Sequence, residues 1–392
     1  MSQLPILVSG AGIGGLTTAL CLAARGFRVN LVEKRTRLEE VGAGLQLSPN
    51  ASHILIGLGL GKALSRAACA PLSLDVRQGK TSALLARAPL GNMQNRFGAP
   101  YWVIHRADLQ QILLDHVRGT AGITMQFGRS LAAMAQTAQG LEITLSGTNQ
   151  HETMLAHAVI GADGLHSDLA MLLGDTSKAK PSGYQAWRGT LPMSAVHPGY
   201  EPQRTTLYLG PHAHAVTYPI RGGEQFNLVL VTREKNHEAG WSRMGDAAKL
   251  HHALKNWNTL LPLIMQMPDW QVWSLYDRAP RPRWSYGPVT LLGDAAHPVL
   301  PFMAQGAALA IEDAATLAHL LAQTPDTPSQ AFARYQQLRL PRATRVQQTA
   351  RKNGSVYHLP FPLSLARDAV IRRKNEHLLD DYDWLYGWTM QG

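Results

Sequence analysis

Three short glycine-containing segments constrain the fold of this 392-residue chain most strongly. The first is Gly10-Ala-Gly-Ile-Gly-Gly15, the second is Asp163-Gly164 and the third is Gly293-Asp294. Each follows a short apolar run of the kind that forms a buried strand, and open parallel sheets bind ligands at the carboxyl ends of their strands. The order of the three segments predicts one long nucleotide cofactor that is held from both ends.

The first segment has the order strand, tight turn and helix. Leu4 to Ser9 is a short apolar run, and Leu16 to Ala24 continues as a helical apolar pattern. We expect Gly10 to permit the turn, Gly12 to let the backbone approach a pyrophosphate and Gly15 to let helix and strand pack closely. The helix amino terminus then faces the negative charge of the ligand.

A second predicted strand, Arg28 to Val32, ends beside Glu33. A carboxylate at this place can accept hydrogen bonds from both hydroxyls of an adenosine ribose. A glycine-rich turn alone is weak evidence, because glycines occur in many loops. The complete order of strand, glycines, helix, strand and acid fits a dinucleotide site, but it does not separate FAD from NAD.

The late segment favours FAD. Val289 to Leu292 resembles a strand and leads into Gly293-Asp294-Ala-Ala-His297, where an aspartate can hold the polyol hydroxyls of FAD. We expect His297 to order the turn around Asp294. Ala304 to Ala308 then opens a helix that we predict to run to about Leu321. Its first amide groups are free donors and suit the carbonyl side of an isoalloxazine ring.

Composition excludes several other classes of protein. No apolar run reaches membrane length and no basic stretch precedes Ile6, so we expect neither an anchor nor a signal peptide, and a cytoplasmic location. Cys21 and Cys69 are too few for a disulfide framework, and the histidines lack metal-site spacing, so we expect no metal. The net charge of +10 is dispersed, which argues against nucleic acid and suits anionic small molecules. The densest basic stretch, Arg339 to Lys352, is expected on the solvated face of a helix.

The domain organisation is predicted to be interleaved. We expect cofactor-binding segments at 1–75, 100–177 and 282–324, a substrate domain at 76–99 and 184–276, and a helical C-terminal segment at 328–392. Alternating patterns predict strands at Thr205 to Leu209, Ala213 to Tyr218 and Phe226 to Thr232, and one helix near Trp241 to Trp257. The aromatic residues of Tyr382 to Trp388 are expected to pack against the domain.

The motifs together resemble those of the class A flavoprotein aromatic hydroxylases, the single-component group that includes p-hydroxybenzoate, salicylate, 3-hydroxybenzoate and 6-hydroxynicotinate hydroxylases. The resemblance covers nearly the whole chain. The matching segments are Gly10 to Gly15, Val32 to Arg35, Gly42 to Ala51, His105 to Gln110, Ile160 to Ser167, Trp187 to Gly189, Tyr218-Pro219, Asp277 to Pro280, Leu291 to Ala314 and Trp384 to Trp388. The resemblance implies an α/β fold with a glutathione-reductase-like FAD-binding Rossmann domain, interleaved with a β-sheet substrate domain and followed by a helical tail.

The resemblance also implies which residues hold FAD. The stretch Gly42 to Gly44 is expected beside the flavin ring, and Pro301 beside its reactive carbon. Asp163-Gly164 matches a segment associated with both FAD and pyridine-nucleotide use, and it could also be a turn that caps the preceding strand. The expected FAD contacts are Gly10, Gly12, Ile13, Gly14, Gly15, Glu33, Lys34, Arg35, Arg106, Leu131, Asp163, Gly164, Asp294, Gln305, Gly306 and Ala307.

The activity implied by the resemblance is hydroxylation of a small phenolic or heteroaromatic acid by NADH or NADPH and O2, through a flavin C4a-hydroperoxide. His214 is the leading candidate for activating the phenol, and the alternative is a strand histidine that is hydrogen-bonded to a neighbour. Gln46, Arg188, Tyr218 and Phe302 are expected to line the substrate site. Gln46 and Phe302 stand where some relatives have histidine, which argues against pyridine-type and salicylate-type specificity.

Two alternative functions stay open on the sequence. One is a hydroxylase of a larger quinone precursor or polycyclic metabolite, since the same fold accepts bulky rings in a wider cavity. The other is a non-catalytic binding protein that has kept the FAD fold. Pro301 and the Gln305-Gly306 turn argue against the second alternative. A homodimer is a further expectation from the family, and Arg278 is expected to tie the sheet domain to the flavin domain.

Overall fold

The computed structural model describes residues 4–38, 44–147, 151–197, 200–234, 242–254, 256–257 and 259–390. Gly42 and Trp241, which the sequence analysis singled out, lie outside these ranges. The strands are β1 Ile6–Ser9, β2 Val29–Glu33, β3 Gly44–Leu47, β4 Ser73–Gln78, β5 Leu84–Pro89, β6 Trp102–His105, β7 Ile123–Phe127, β8 Ser130–Thr137, β9 Gly140–Ser146, β10 His151–Ala156, β11 Ala158–Gly161, β12 Lys180–Pro192, β13 Arg204–Gly210, β14 Ala213–Ile220, β15 Gln225–Arg233, β16 Ser242–Met244, β17 Gln271–Asp277, β18 Ser285–Tyr286 and β19 Val289–Leu291.

Helices lie between these strands and form most of the chain after residue 300. The α-helices are α1 Ile13–Ala23, α2 Pro49–Gly57, α3 Gly61–Ala67, α4 Met93–Phe97, α5 Arg106–Gly119, α6 Asp168–Leu172, α7 Ala247–Leu254, α8 Leu261–Gln266, α9 Gly306–Gln323, α10 Pro328–Tyr357, α11 Leu363–Lys374 and α12 Asp383–Tyr386. Short 3-10 helices span Met193–Ala195, Arg221–Gly223, Gly293–Ala295, Pro301–Met303 and Asn375–Tyr382. None of the described helices is long and apolar enough to cross a membrane. The location of the protein in the cell stays a prediction.

The first sheet has the described strands in the order β18-β19-β11-β1-β2-β7. The five strands β19, β11, β1, β2 and β7 are parallel, with Ile6 paired to Ala158 on one side and to Val29 on the other. Every residue of β1 is buried, which explains its continuous apolar sequence, since a parallel strand covered on both faces cannot alternate. The α/β class predicted from the glycine segments is therefore confirmed.

The second large sheet has the described strands in the order β16-β17-β12-β15-β14-β13-β4-β5 and is antiparallel except where β13 meets β4. Alternate residues of β14 lie on opposite faces of this sheet. Ala215 packs in the cluster that contains Leu250 and Leu254 of α7. His214 lies on the other face, against Phe302 of the Pro301–Met303 turn. The second sheet thus turns one face towards the end of the first sheet that carries the late glycine segment.

The prediction of a helix near Trp241 to Trp257 is wrong at the amino-terminal end of that range. Met244 belongs to a strand and pairs with Gln271, and the helix begins only at Ala247. Gly245 lies between the strand and the helix and packs closely, since a Cβ there would lie 2.6 Å from the Trp187 ring. The division of the chain into domains, with the boundaries given above, stays a prediction.

The basic stretch Arg339 to Lys352 lies in α10, which continues through Pro341. Its assignment to a solvated face is wrong for Arg339, whose side chain is 1% exposed. Arg339 forms ion pairs with Glu312 at 2.6 Å and with Asp313 at 2.7 Å, both on α9. The buried arginine is stable here because two buried carboxylates neutralise its positive charge.

The C-terminal aromatic residues pack against the rest of the protein, as predicted. The ring of Tyr386 lies 6.2 Å from that of Tyr101 and 6.2 Å from that of Phe97. Trp384 stacks on the Arg345 guanidinium at 3.8 Å. These contacts bring the end of the chain to α10 and to the segment before β6, close to the predicted substrate residues.

Candidate active site

The first glycine turn lies between β1 and α1, and its glycines differ in what surrounds them. Gly10 has φ of +102°, and a Cβ there would lie 2.5 Å from the Ala162 carbonyl oxygen. A Cβ on Gly15 would overlap the carbonyl oxygen of Gly10, so the helix can approach the strand only with glycine. A Cβ on Gly14 would lie 3.1 Å from Ala310 of α9. Packing within the protein therefore leaves little or no room for a side chain at Gly10, Gly14 and Gly15.

Gly12 differs, because a Cβ there would meet nothing within 4 Å. It is the N-cap of α1, no side chain caps the helix, and no acidic residue lies in the first turn. The first amide groups of α1, beginning at Ile13, therefore point towards open space with the positive end of the helix dipole behind them. This is the arrangement that binds a phosphate.

Glu33 lies at the end of β2 beside this turn. Its Oε2 accepts a hydrogen bond from the Ala11 amide at 2.8 Å, and its Oε1 accepts one from the Arg35 amide at 3.0 Å. The Arg129 amide donates to the Glu33 carbonyl at 2.9 Å, which brings the start of β8, with the buried Leu131, to the same place. The Lys34 side chain forms a partly exposed ion pair with Asp168, with 3.8 Å between Nζ and Oδ2.

Arg106 and Asp294 face each other across the same region. Arg106 begins α5 and Asp294 lies in the 3-10 turn after β19. Both side chains are accessible to solvent, yet desolvation lowers the pKa of Arg106 and raises the pKa of Asp294, while each charge opposes the shift of the other. Arg35 also acts on Arg106 as a like charge. The described chain gives neither Arg106 nor Asp294 a hydrogen-bonded partner, so both can bind a ligand.

The Asp163-Gly164 segment follows β11. Asp163 accepts a hydrogen bond from the Leu169 amide at 3.1 Å and so caps the short helix α6. Burial raises its pKa, and its Oδ1 has no hydrogen-bond partner among the described residues. Gly164 has φ of +79°, a conformation that favours glycine. Arg278 donates to the Leu165 carbonyl at 3.1 Å, so the expected tie between the two parts of the chain is present.

The amino terminus of α9 closes the other end of the region. Ala304 has φ of +53° and ends the Pro301–Met303 turn, and Gln305 is the N-cap of α9 without a side-chain cap. A Cβ on Gly306 would meet nothing within 4 Å, so the amides of Gly306 and Ala307 face open space. The Gln305 side chain is turned away and donates to Ser48 Oγ at 2.9 Å.

These features fit FAD. The uncapped amino terminus of α1, next to Glu33, suits the pyrophosphate and ribose of the adenosine half, and Asp294 suits the polyol. The uncapped amino terminus of α9 suits the electron-rich carbonyl side of the flavin ring. Two glycines, Gly12 and Gly306, open into the space between these ends. The individual contacts stay predictions.

The predicted substrate residues fall into two groups. His214 forms the first group with Phe302, at a ring distance of 5.5 Å. Its Nδ1 lies 2.9 Å from Nε2 of His358, and both histidines are buried. Pro301 precedes Phe302 in the same turn, and Tyr357 donates to the Phe302 carbonyl at 3.3 Å.

Gln46 and Tyr218 form the second group. Tyr101 donates from its hydroxyl to Gln46 Oε1 at 2.5 Å. Tyr218 lies against Gly44, where a Cβ would overlap its ring. Asn227 accepts from the Gly44 amide at 2.8 Å, which ties strand β3 to the second sheet. Burial raises the pKa values of Tyr101 and Tyr218, so both hydroxyls stay protonated and can donate hydrogen bonds.

Arg188 lies on β12 between these groups and the FAD region. Its charge acts on Tyr218, and Arg106 acts on it as a like charge. Its guanidinium carbon is 5.2 Å from the centroid of the Trp273 ring, and its buried Nε has no hydrogen-bond partner. No described carboxylate forms an ion pair with it. An arginine in this situation is suited to an anionic ligand.

Sequence reasoning missed three residues of this region. His358, Tyr101 and Asn227 bind to His214, Gln46 and Gly44 respectively. Asn227 lies on the predicted strand Phe226 to Thr232, so a sequence signal existed for it. Tyr101 directly precedes β6, which the sequence did not predict as a strand. His358 carries no local signal, because it lies 144 residues from its partner.

Comparison with known proteins defines the class of this fold and site. Residues 3–350 match the family model described as "FAD binding domain". The chain is 33% identical over 396 residues to 3-hydroxybenzoate 6-hydroxylase of Polaromonas naphthalenivorans, covering 99% of this chain and 97% of the relative. It is 36% identical over 392 residues to 3-amino-4-hydroxybenzoate 2-monooxygenase of Streptomyces cremeus, covering 98% and 95%.

Among solved structures, the chain is similar to a salicylate hydroxylase in complex with its substrate. The TM-score is 0.83 and the identity 25%, with 98% of this chain and 96% of the other covered. The chain belongs to the class A flavoprotein aromatic hydroxylases, within the FAD-binding family. The fold, the FAD cofactor and the enzyme class expected from the sequence are confirmed.

Proposed function

We propose that this enzyme hydroxylates a small phenolic or heteroaromatic acid. The overall reaction consumes the aromatic ring compound, O2, NADH or NADPH and one proton, and gives the hydroxylated ring, water and oxidised pyridine nucleotide. One oxygen atom enters the ring and the other leaves as water. Bound FAD supplies the electron transfer and oxygen activation that side chains cannot perform.

The observation that carries this proposal is the unpaired Arg188. Arg188 is half-buried, desolvation lowers the pKa of its guanidinium, and no described carboxylate forms an ion pair with it. A bound anion would offset the cost of this desolvation. An aromatic acid bound on this face of the second sheet would supply that anion. The relatives support the same substrate class, since their names specify hydroxybenzoates.

The remaining residues act on the position and protonation of the substrate. His214 accepts the phenol proton, because a phenolate ring is more nucleophilic than a phenol. Tyr218 and Gln46 orient the ring by hydrogen bonds. Pro301 and the amides of Gly306 and Ala307 hold the flavin ring against it, and the buried aromatic residues around Phe302 exclude water. The FAD contacts are those that the family resemblance implies, of which Gly10 is the first and Ala307 the last in the sequence.

Neither alternative function has an observation of its own in its favour. The rings of Phe302 and Tyr357 lie 5.5 and 5.3 Å from His214 and occupy space that a polycyclic substrate would need. The Pro301 turn leads directly into the uncapped amino terminus of α9, and both are suited to the flavin ring, which argues against a protein that only binds FAD. A homodimer stays part of the proposal.

The test uses the full chain, purified and supplied with FAD. It is mixed with NADH or NADPH and isotopically labelled O2 in the presence of hydroxybenzoates, aminohydroxybenzoates or hydroxypyridine carboxylates. We expect one compound to accelerate nucleotide oxidation and to gain one labelled oxygen on its ring, detected by mass spectrometry. Matched phenols that lack the carboxylate serve as controls. Absence of label in every ring product would contradict the proposed function.

A further inference from the structure

Two buried histidines from distant parts of the chain form a pair behind the proposed substrate site. His214 lies on β14, and His358 is the C-cap residue of the long helix α10. Their side chains are 3% and 2% exposed. His214 Nδ1 lies 2.9 Å from His358 Nε2, and the ring centroids are 5.0 Å apart. This geometry is a direct hydrogen bond between two imidazoles.

The neighbours of the pair leave this bond as the principal constraint on the ring of His214. Phe302 and Tyr357 contact that ring only with their aromatic faces and edges. In the part of the chain that the structure describes, Nε2 of His214 has no hydrogen-bond partner. Tyr184 stacks on His358 at 5.1 Å with an angle of 29° between the planes, which fixes the orientation of the second ring.

Charge around the pair keeps both rings neutral. Burial and the nearby Arg233, His212 and Arg367 lower the pKa of His358 to about 4. Burial and His358 lower the pKa of His214 well below its ordinary value. A neutral imidazole has one N–H, and a single proton lies in the bond between the rings. Either His214 donates from Nδ1, or His358 donates from Nε2. In the first arrangement the hydrogen of His358 lies on its Nδ1, which is buried without a hydrogen-bond partner among the described residues.

The two arrangements have opposite consequences for the chemistry. If His214 donates from Nδ1, its Nε2 has a free lone pair and can accept a proton. If His358 donates instead, the Nε2 of His214 carries the hydrogen and cannot act as a base. We propose that His358 is a positioning residue that accepts this hydrogen bond and holds His214 in the form whose Nε2 takes the proton of the substrate phenol.

This inference rests on the proposed function, and its proton balance is simple. The phenol O–H bond breaks, an N–H bond forms at Nε2 of His214, and no electron leaves the ring. The charged His214 then donates from Nδ1 to the neutral His358. The phenolate formed beside Nε2 favours the positive charge on His214, while Arg233 and Arg367 disfavour a positive charge on His358, so the proton can be returned to the substrate from His214.

Substitution of His358 separates a positioning role from a structural one. Gln at this position has an oxygen that can accept the hydrogen bond, whereas Leu and Met replace only the volume of the side chain. We expect His358→Leu to lower the rate of ring hydroxylation at neutral pH roughly tenfold or more. We expect the KM for the substrate and the retention of FAD to stay within twofold. Raising the pH towards the pKa of the substrate phenol should restore the rate, because the phenol then ionises without a base.

His358→Gln should recover most of the lost rate, and His358→Met should behave as His358→Leu. Tyr357→Phe is the matched control, because it removes one hydrogen bond from the same cluster without touching the pair. Normal hydroxylation and an unchanged pH profile in His358→Leu, with His214→Asn impaired, would overturn the inference and leave the proposed function intact. Failure of the unaltered chain to insert labelled oxygen would instead overturn the function.

A second measurement needs no substitution of His358. Nitrogen-15 NMR of the FAD-loaded enzyme distinguishes protonated from unprotonated imidazole nitrogens, and the spectrum of His214→Asn identifies the signals of His214. We expect hydrogen on Nδ1 of His214 and none on Nε2. Hydrogen on Nε2 at neutral pH would overturn the inference even if the His358 variants fail to fold.

Discussion

Arg339 donates a hydrogen bond from Nε to Oδ1 of Asp313 at 2.7 Å, deep in the interface between α10 and α9. The other oxygen of Asp313 lies 2.5 Å from His297 Nε2 and accepts from the Gly293 amide at 3.1 Å. His297 and Arg339 hold the pKa of Asp313 well below its usual range despite burial. One carboxylate therefore connects the C-terminal helix with the turn that carries Asp294.

Replacing Asp313 with Asn should both destabilise the protein and weaken FAD binding. The neutral amide leaves Arg339 without half of its counter-charge, and breaking a buried ion pair costs about 3–5 kcal/mol. Urea unfolding measures this loss, and flavin fluorescence after gel filtration measures retention. Asp326→Asn, an exposed acid beyond α9, is the control. Equal stability of the two variants would show that the buried connection is not needed.

Alanine at two glycines of the first turn should have opposite effects. In Gly12→Ala the backbone is extended and the new methyl group meets no protein atom, so the apoprotein should unfold at the temperature of the unaltered chain. Its affinity for FAD should fall at least about tenfold, because the methyl group occupies the approach to the helix amino terminus. In Gly15→Ala the methyl group overlaps the Gly10 carbonyl, and the fold should be lost.

Circular dichroism of the apoproteins and titration with FAD check this pair. Gly119→Ala, at the end of α5, is the matched control, because its methyl group also meets no protein atom and the residue is not an expected FAD contact; it should keep the FAD affinity of the unaltered chain. If Gly12→Ala binds FAD as tightly as the unaltered chain, the pyrophosphate does not bind at the amino terminus of α1.

The nucleotide-binding half of the fold could be read from the sequence because its constraints are local. The order of β1, the glycine turn, α1, β2 and Glu33 lies within one short stretch of sequence. The motif is recognisable there, although Gly10 and Gly14 pack against the distant residues Ala162 and Ala310. Three strands of the second sheet, β13, β14 and β15, were likewise predicted from alternating patterns. Glu33 belongs to β2 itself, one residue further than predicted.

The features that depend on distant partners could not be read in this way. The basic stretch at Arg339 has the pattern of a solvated helix face, and only the acids of α9 make its burial possible. His358 carries no local pattern, and its role depends on His214. The strand at Ser242–Met244 forms because β17 lies beside it, although its sequence continues smoothly into a helical pattern.

Arg188 should determine the preference for acids. Arg188→Leu should raise the KM for aromatic carboxylates about tenfold to a hundredfold, since a hydrogen bond to a charged group contributes about 1.5–3 kcal/mol. Binding of a phenol without a carboxylate should change little. Arg283→Leu, which removes an exposed arginine stacked on Tyr286, controls for the loss of general positive charge. Steady-state kinetics on both substrates check this, and equal losses for acid and phenol would contradict it.

The buried histidine pair should make the protein sensitive to acid. The pKa of His358 is about 4 in the folded protein and about 6.5 when unfolded, so between these values the unfolded chain binds more protons. The contribution to stability is complete above pH 6.5 and is lost as the pH falls towards 4. A shift of this size corresponds to up to about 3 kcal/mol, and His214 acts in the same direction.

Urea unfolding of the apoprotein across this pH range measures the effect. His358→Gln cannot take up a proton, so its free energy of unfolding should fall less steeply from pH 6.5 to pH 4 than that of the unaltered chain. His377→Gln, an exposed histidine of the C-terminal segment, is the control and should keep the original slope. Identical slopes for the unaltered chain and His358→Gln would mean that His358 has the same pKa in the folded and unfolded states.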